Sequence, residues 1–273
     1  MRTVTHIAAG DGFSLERVKI RAESAAWSPP EVTAAYRVVL VRSGTFRARV
    51  DDQLLLADPA LAYLGGAGQE LSIAHRPGID DSCTAVTCSP GLMRELTGDE
   101  PPNTTALPVN GRLALAHRLL VSRAGQGAES PELAELVIDL VGDLLTAQAG
   151  THQTQARGRA ATLARRRAMV ESVRALIADD LTASLRELAQ TVAWSPYRLS
   201  RAFHQETGMT LTAYRNRLRT MRALQAIEAG HDDLAALAAD LGFADHAHLT
   251  RTVREECGMP PVAVRRLLAV PPR

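Results

Sequence analysis

Two stretches decide the reading of this chain: LRELAQTVAWSPYRLSRAFHQETGMTLTAYRNR, residues 185–217, and LAALAADLGFADHAHLTRTVREECGMPPVAVRR, residues 234–266. Laid over each other, they agree in their apolar positions. Leu185, Leu188, Val192 and Trp194 coincide with Leu234, Leu237, Leu241 and Phe243 at an offset of 49. After one inserted residue, Leu199, Arg201, Gly208 and Arg215 coincide with Leu249, Arg251, Gly258 and Arg265 at an offset of 50. Self-similarity at a fixed period marks a repeated supersecondary unit. Each copy reads as a short apolar helix, a tight turn and a second helix ending in glycine, which is a helix-turn-helix pair.

The second helix of each unit carries the chemistry. In the first, Ser195 is an N-cap residue and Pro196 suits the first helical position. Leu199, Ala202 and Phe203 then form an inward face, while Tyr197, Ser200, Arg201 and His204 share the opposite one at i, i+3, i+4 and i+7. A stripe of donors with one aromatic is what a helix needs to read base edges in a major groove. The matching stripe of the second unit is Ala247, Thr250, Arg251 and Arg254, flanked by His246 and His248. Any surface helix has a polar face, so one stripe alone says little. Two stripes with an arginine in register, in a basic half of the chain, point to DNA.

Spacing supports the same reading. Thr210 caps and Gly230 stops a helix between the units. About 18 residues of helix span roughly 27 Å, which suits two recognition helices in successive major grooves about 34 Å apart.

The whole chain has 273 residues and a net charge of +1, but the charge is unevenly placed. Residues 159–273 hold 17 Arg and no Lys against 12 acidic residues, a balance of +5, and residues 1–158 carry −4. A basic half joined to an acidic one suits a polyanionic partner. No apolar run is long enough to span a membrane, the N-terminus lacks a secretory pattern, and Cys83, Cys88 and Cys257 are too scattered for a disulfide framework. These features predict a cytoplasmic protein.

Upstream, residues 31–90 read as short strands. Tyr36 to Val41 is a β-branched run closed by Ser43-Gly44, and Thr45 to Val50 alternates in period two before Asp51-Asp52. Turn signals every 8–12 residues predict a β-sandwich or small barrel. Residues 112–123 and 131–148 then carry helical spacing, with Ser130 as cap, and form a helical hairpin suited to dimerisation or to covering the sheet. The expected organisation is a β sensor domain over 1–109, a hairpin over 110–149, a linker over 150–163 and the paired helix-turn-helix domain over 164–273. The fold class is α+β with two domains.

With these motifs in hand, residues 167–266 resemble the AraC/XylS family of bacterial transcription regulators. The resemblance rests on the paired units, on Leu199, Arg201 and Phe203 in the first recognition helix, and on LGFADHAHLTRTVREECGMPP at 241–261. It implies that Tyr197, Ser200, Arg201, Ala247, Thr250 and Arg251 face the bases of double-stranded promoter DNA. Residues 45–77 are similar to the cupin-like sensor domain of many members. That implies a small-molecule effector, a homodimer, and contact with RNA polymerase if the protein activates. The second unit departs from the family in carrying Val253, Cys257 and Val264 where aromatics are usual, which predicts looser packing there. Ala247 offers only a methyl contact, so the first unit is expected to dominate recognition. His204 and Arg254 complete the expected base-reading set, and Arg198, Arg215 and Arg265 are expected on phosphates.

Other chemistries are weaker. A cupin-like barrel could be a metalloenzyme, but His246 and His248 form the one His-x-His in the chain and lie at i and i+2 of a helix, off a common face. No catalytic constellation, metal site or cofactor is expected. A metal- or thiol-responsive regulator would use His75, Cys83 and Cys88. The odd spacing of the two cysteines, however, turns them to opposite faces of a continuous strand, and both read as small buried hydrophobes. Trp27, Tyr36, Phe46, Tyr63 and His75 are the candidates for an effector pocket, or else simply fill the core.

Overall fold

The computed structural model describes residues 1–100, 102–150 and 160–269. The N-terminal half comprises β1 (Arg2–Gly10), β2 (Phe13–Arg21), β3 (Glu31–Val32), β4 (Tyr36–Ser43), β5 (Phe46–Val50), β6 (Gln53–Ala57), β7 (Leu61–Gly65), β8 (Glu70–His75) and β9 (Asp80–Cys88). Helix α1 (Pro90–Thr97), β10 (Ala106–Pro108), α2 (Gly111–Gly125) and α3 (Ser130–Gly150) follow. The C-terminal half is helical: α4 (Ala160–Asp179), α5 (Leu185–Thr191), α6 (Pro196–Thr207), α7 (Leu211–Glu228), α8 (Leu234–Asp240), α9 (His246–Cys257) and α10 (Pro261–Leu268). This is the α+β architecture expected from the sequence.

The strands form two antiparallel sheets, in the orders β1-β2-β9-β4-β7-β10 and β3-β8-β5-β6. Their patterns show which face meets what. In β5, Phe46, Ala48 and Val50 are buried while Arg47 and Arg49 are exposed, so one face of the small sheet meets solvent. In β4, Val38, Val39, Leu40 and Val41 are all buried, because the large sheet is covered on both sides. Val39 and Val41 join Phe46, Ala48, Tyr63 and Leu71 between the sheets. Val38 and Leu40 join Leu15, Val86 and the apolar residues of α2 and α3 on the other side.

Several boundaries differ from the sequence reading. The β region starts at residue 2 rather than 31, because Asp11 and Gly12 turn β1 back along β2. Asp-Gly between alternating residues is a hairpin signal. Ser89-Pro90 does not merely break a strand: Ser89 caps α1 and accepts a hydrogen bond from the Leu92 N–H. Ser130 lies inside α3 instead of capping it. Most of the expected linker falls outside the described residues, and its last residues, from Ala160, already belong to α4.

The hairpin has a role that the sequence did not show. Helix α3 covers the sheet beside β1 and β10, whereas α2 also packs on α7, α9 and α10. One continuous apolar core thus runs from the large sheet into the helical half. Two charged nodes lie along this seam. Asp58, in the β6–β7 turn, takes the Arg174 guanidinium of α4 and the Tyr214 hydroxyl of α7, and Arg174 also donates to the Leu56 carbonyl at 3.1 Å. Near the other end of α7, Glu228 receives Arg42 of β4 at 2.6 Å and lies 3.4 Å from Arg118 of α2.

Burial works against the Arg174 charge, but Asp58 and Tyr214 more than offset it, so the guanidinium holds its proton more firmly than usual. Asp58→Ala leaves that cation buried and unpaired, and it should destabilise the protein by about 3–5 kcal/mol. Urea unfolding checks this, and a loss under about 1 kcal/mol would contradict the role given to the node. His117 is buried beside Arg42, Arg118 and Arg17; burial first, then these cations, hold its pKa well below the usual value. The unfolded chain therefore binds a proton that the folded one refuses. Stability should be full above about pH 6.5 and fall as the pH drops below it, with His117→Leu flattening the dependence in thermal melts.

Candidate nucleic-acid interface

The repeat seen in the sequence is a repeat in space. Ser184 caps α5 in a reciprocal capping box with Glu187, and Asp233 caps α8 through the Ala235 and Ala236 N–H groups. Ser195 and Asp245 cap the second helices, accepting from Arg198 and His248 respectively. Gly208 and Gly258 end those helices in the left-handed conformation, at φ +70° and +80°. The turns correspond too. Ala193 and Gly242, 49 positions apart, sit at φ +53° and +72°. Glycine takes this conformation freely, whereas alanine is strained there.

The polar stripes reach solvent as the spacing requires. Tyr197 is 75% exposed, Arg201 and His204 are exposed, and Ser200 is half-buried at the edge of the stripe. In α9, Ala247, Arg251 and Arg254 are exposed and Thr250 is half-buried. Beneath them Leu199, Phe203, Leu249 and Val253 are fully buried. His248 leaves the stripe: it packs edge-on against Phe243 at 5.2 Å. Its Nδ1 also accepts from the Ala244 N–H at 3.3 Å.

The arginines divide into two groups. Arg201, Arg251 and Arg254 make no side-chain hydrogen bond or ion pair with any described residue. The three expected on phosphates are all engaged within the protein. Arg198 lies 4.2 Å over the Trp194 ring. Arg215 donates to the Ala183 carbonyl, and burial lowers its pKa from the ordinary value. Arg265 donates to the His231 and Asp232 carbonyls at 3.0 and 3.2 Å.

Sequence reasoning missed the residues that aim these helices. Glu206 of α6 pairs with Arg166 and Arg167 of α4, and Glu256 of α9 pairs with Arg217 of α7. The two glutamates lie 50 positions apart, so the repeat already carried the signal. Glu256 also accepts from the Gly111 N–H at the start of α2, at 3.3 Å. The backbones meet so closely that a Cβ at Gly111 would lie 2.8 Å from the Glu256 carbonyl oxygen. The second unit is not loosely packed: Val253, Cys257 and Val264 are at most 5% exposed. Helix α2 lies on α7, α9 and α10 and helps to bury these smaller side chains.

Comparison with known proteins now bears on this geometry. Residues 188–267 match the family model described as a helix-turn-helix domain. The C-terminal region is a helix-turn-helix domain. Over 83 residues the chain is 35% identical to the HTH-type transcriptional regulator Rv1931c of Mycobacterium tuberculosis, covering 30% of this chain and 32% of that protein. It is 34% identical over 83 residues to the HTH-type transcriptional activator RhaS of Escherichia fergusonii, covering 30% of each. The matched segment thus spans about a third of these curated relatives. ToxT from Vibrio cholerae aligns over 95% of this chain and 99% of its own, at 12% identity and a TM-score of 0.37.

The candidates in the sensor half are only partly brought together. Phe46 lies 6.1 Å from Tyr63 and 4.9 Å from His75, ring to ring, between the sheets. Trp27 lies apart under Arg49, at 4.2 Å, and Tyr36 packs toward the helix-covered core. His75 Nδ1 is 2.6 Å from Asp81. Cys83 points between the sheets and Cys88 into the opposite core, and burial pushes the two thiols up to about 12 and about 11. Among the described residues no three His, Cys, Asp or Glu side chains are grouped to hold a metal.

The strained turn makes a direct test of the repeat. Ala193→Gly should stabilise the protein by about 1 kcal/mol, measured as a raised denaturation midpoint. Gly at the same position of the second unit shows that the turn accepts it. A lowered midpoint would contradict the reading.

Proposed function

We propose that this protein is a cytoplasmic, sequence-specific DNA-binding transcription regulator and not an enzyme. Its double helix-turn-helix domain reads two adjacent major grooves. The observation that carries the reading is the pair of exposed stripes in register, each with an arginine left without a partner inside the protein. Arg201 and Arg251 are the main base-reading donors, suited to the O6 and N7 of guanine. Tyr197, Ser200, His204, Ala247, Thr250 and Arg254 complete the contact surface. Arg198, Arg215 and Arg265 approach phosphates, and the last two also bind carbonyls within the domain.

The N-terminal half is the control element, responding to a small-molecule effector. The core that runs from the large sheet into α7, α9 and α10 supplies the physical link. A homodimer belongs to the same reading. With α2 committed to the helical half, the outer face of α3, where Ile138 is 37% exposed, is the part of the hairpin left for a second copy. Contact with RNA polymerase follows if the protein activates.

The test is to incubate the purified protein with fragmented host genomic DNA at about 150 mM salt and sequence what is retained. A shared motif with two boxes about 10 base pairs apart is expected. Arg201→Ala should weaken binding to that motif by about 1–3 kcal/mol and relax preference at one base, with far less effect on random duplex. Equal loss on both would remove the base-reading role. Arg215→Ala should weaken both duplexes alike and make the salt slope shallower by about one unit.

A further inference from the structure

An unpartnered arginine also occurs in the sensor half, at the open end of the sandwich. Strand β4 alternates, so Arg37 points the same way as Val39 and Val41, toward the space between the sheets. On the neighbouring β7 the residue paired with Arg37 is Gly65, and the residue paired with Val39 is Tyr63. Gly65 has no side chain to fill its place. A Cβ built there finds only the Arg37 carbonyl oxygen, at 4.0 Å. Beside this gap lies an open-sided cleft of about 510 Å³, lined by Glu31, Val32, Thr33, Ala34, Arg37 and Leu71. Its volume falls within the range usual for small-molecule sites.

Arg37 is chemically unfinished. Its Nε is shielded from solvent with no hydrogen-bond partner, and its guanidinium forms no ion pair with a described residue, although Glu31 lines the same cleft. Other arginines with a shielded, unpartnered nitrogen are tied elsewhere: Arg42 to Glu228, Arg166 to Glu206, and Arg219 to the Leu181 carbonyl. Arg17 is also untied, but it lies beside His117 on the helix-covered side of the large sheet. A half-buried guanidinium without an acceptor is costly unless something supplies one.

We propose that this cleft binds a small organic monocarboxylate, its acid group taken by Arg37 and its apolar part resting on Leu71 and Val32. A carboxylate accepts two parallel bonds from one guanidinium. Glu31, on the rim, disfavours a second negative charge and so selects against dicarboxylates. The proposal deepens the effector half of the function proposed above and rests on that reading for its consequence at DNA.

The experiment is calorimetric titration of the full-length protein with benzoate, octanoate, succinate and benzylamine. Benzoate or octanoate should bind saturably, with succinate at least about tenfold weaker and benzylamine not bound. Arg37→Gln should weaken the carboxylate at least about tenfold without lowering the thermal midpoint, since the Arg37 side chain makes no hydrogen bond or ion pair with a described residue. Gly65→Leu, at an unstrained backbone position, should block the site by filling it. No saturable binding of either monocarboxylate up to about 10 mM would overturn the proposal, as would equal affinity in Arg37→Gln or equal binding of benzylamine. Repeating the genomic-DNA retention separates the two readings. Arg37-dependent binding by a protein that retains no DNA keeps the cleft and removes the regulator. A recovered DNA motif with no carboxylate binding does the reverse.

Discussion

Asp58 sits in the turn that joins β6 of the small sheet to β7 of the large one, fully buried, and takes a guanidinium from α4 and a hydroxyl from α7. Those two helices have little else in common with a β-turn. An unpaired carboxylate at that depth would be untenable, so β6, β7, α4 and α7 must all be in place together. Tyr214 in turn packs edge-on against Phe203 at 5.3 Å, the core residue of the first recognition helix. The node therefore joins the sandwich to the part of the molecule that faces DNA.

The same helix is held again near its other end. Arg42 of the large sheet and Arg118 of α2 converge on Glu228, about four turns beyond Tyr214. Because α7 fixes the separation of the two recognition helices, the sensor half grips the spacer of the reader at both ends. Any rearrangement of β4 or of the β6–β7 turn is felt by α7. Burial followed by Arg42 lowers the Arg118 pKa to about 10, while Glu228 opposes the shift. The cluster has more cations than anions, so Glu228 is indispensable to it.

The exposed and the buried arginines illustrate one rule from two sides. At the two nodes of the seam Arg174, Arg42 and Arg118 each find a carboxylate or a carbonyl, because a desolvated charge without one is costly. On the stripes of α6 and α9 the arginines stay in water, where an unpaired charge costs little and remains available to a polyanion.

How much was legible in the sequence follows from the range of the interactions. The two helix-turn-helix units, their caps at Ser195 and Thr210, their glycine stops and the stripes from Tyr197 and Ala247 rest on contacts within about one or two helical turns. Periodicity reports such contacts directly, and the repeat doubled the signal. The alternation of β5 was legible for the same reason, since one of its faces is wet. By contrast, β4 is buried on both faces, so its pattern names no side. Asp58–Arg174 joins residues 116 positions apart and Arg42–Glu228 residues 186 apart. Neither pair has a local pattern, because any surface turn may hold an aspartate and any helix an arginine. Likewise, α2 reads as half of a dimerising hairpin until its partners α7, α9 and α10 are placed against it. The sequence by itself determined the reader, because local spacing creates it. The tertiary structure alone decided how the sensor holds the reader, because burial over long sequence separation selects which charges must meet.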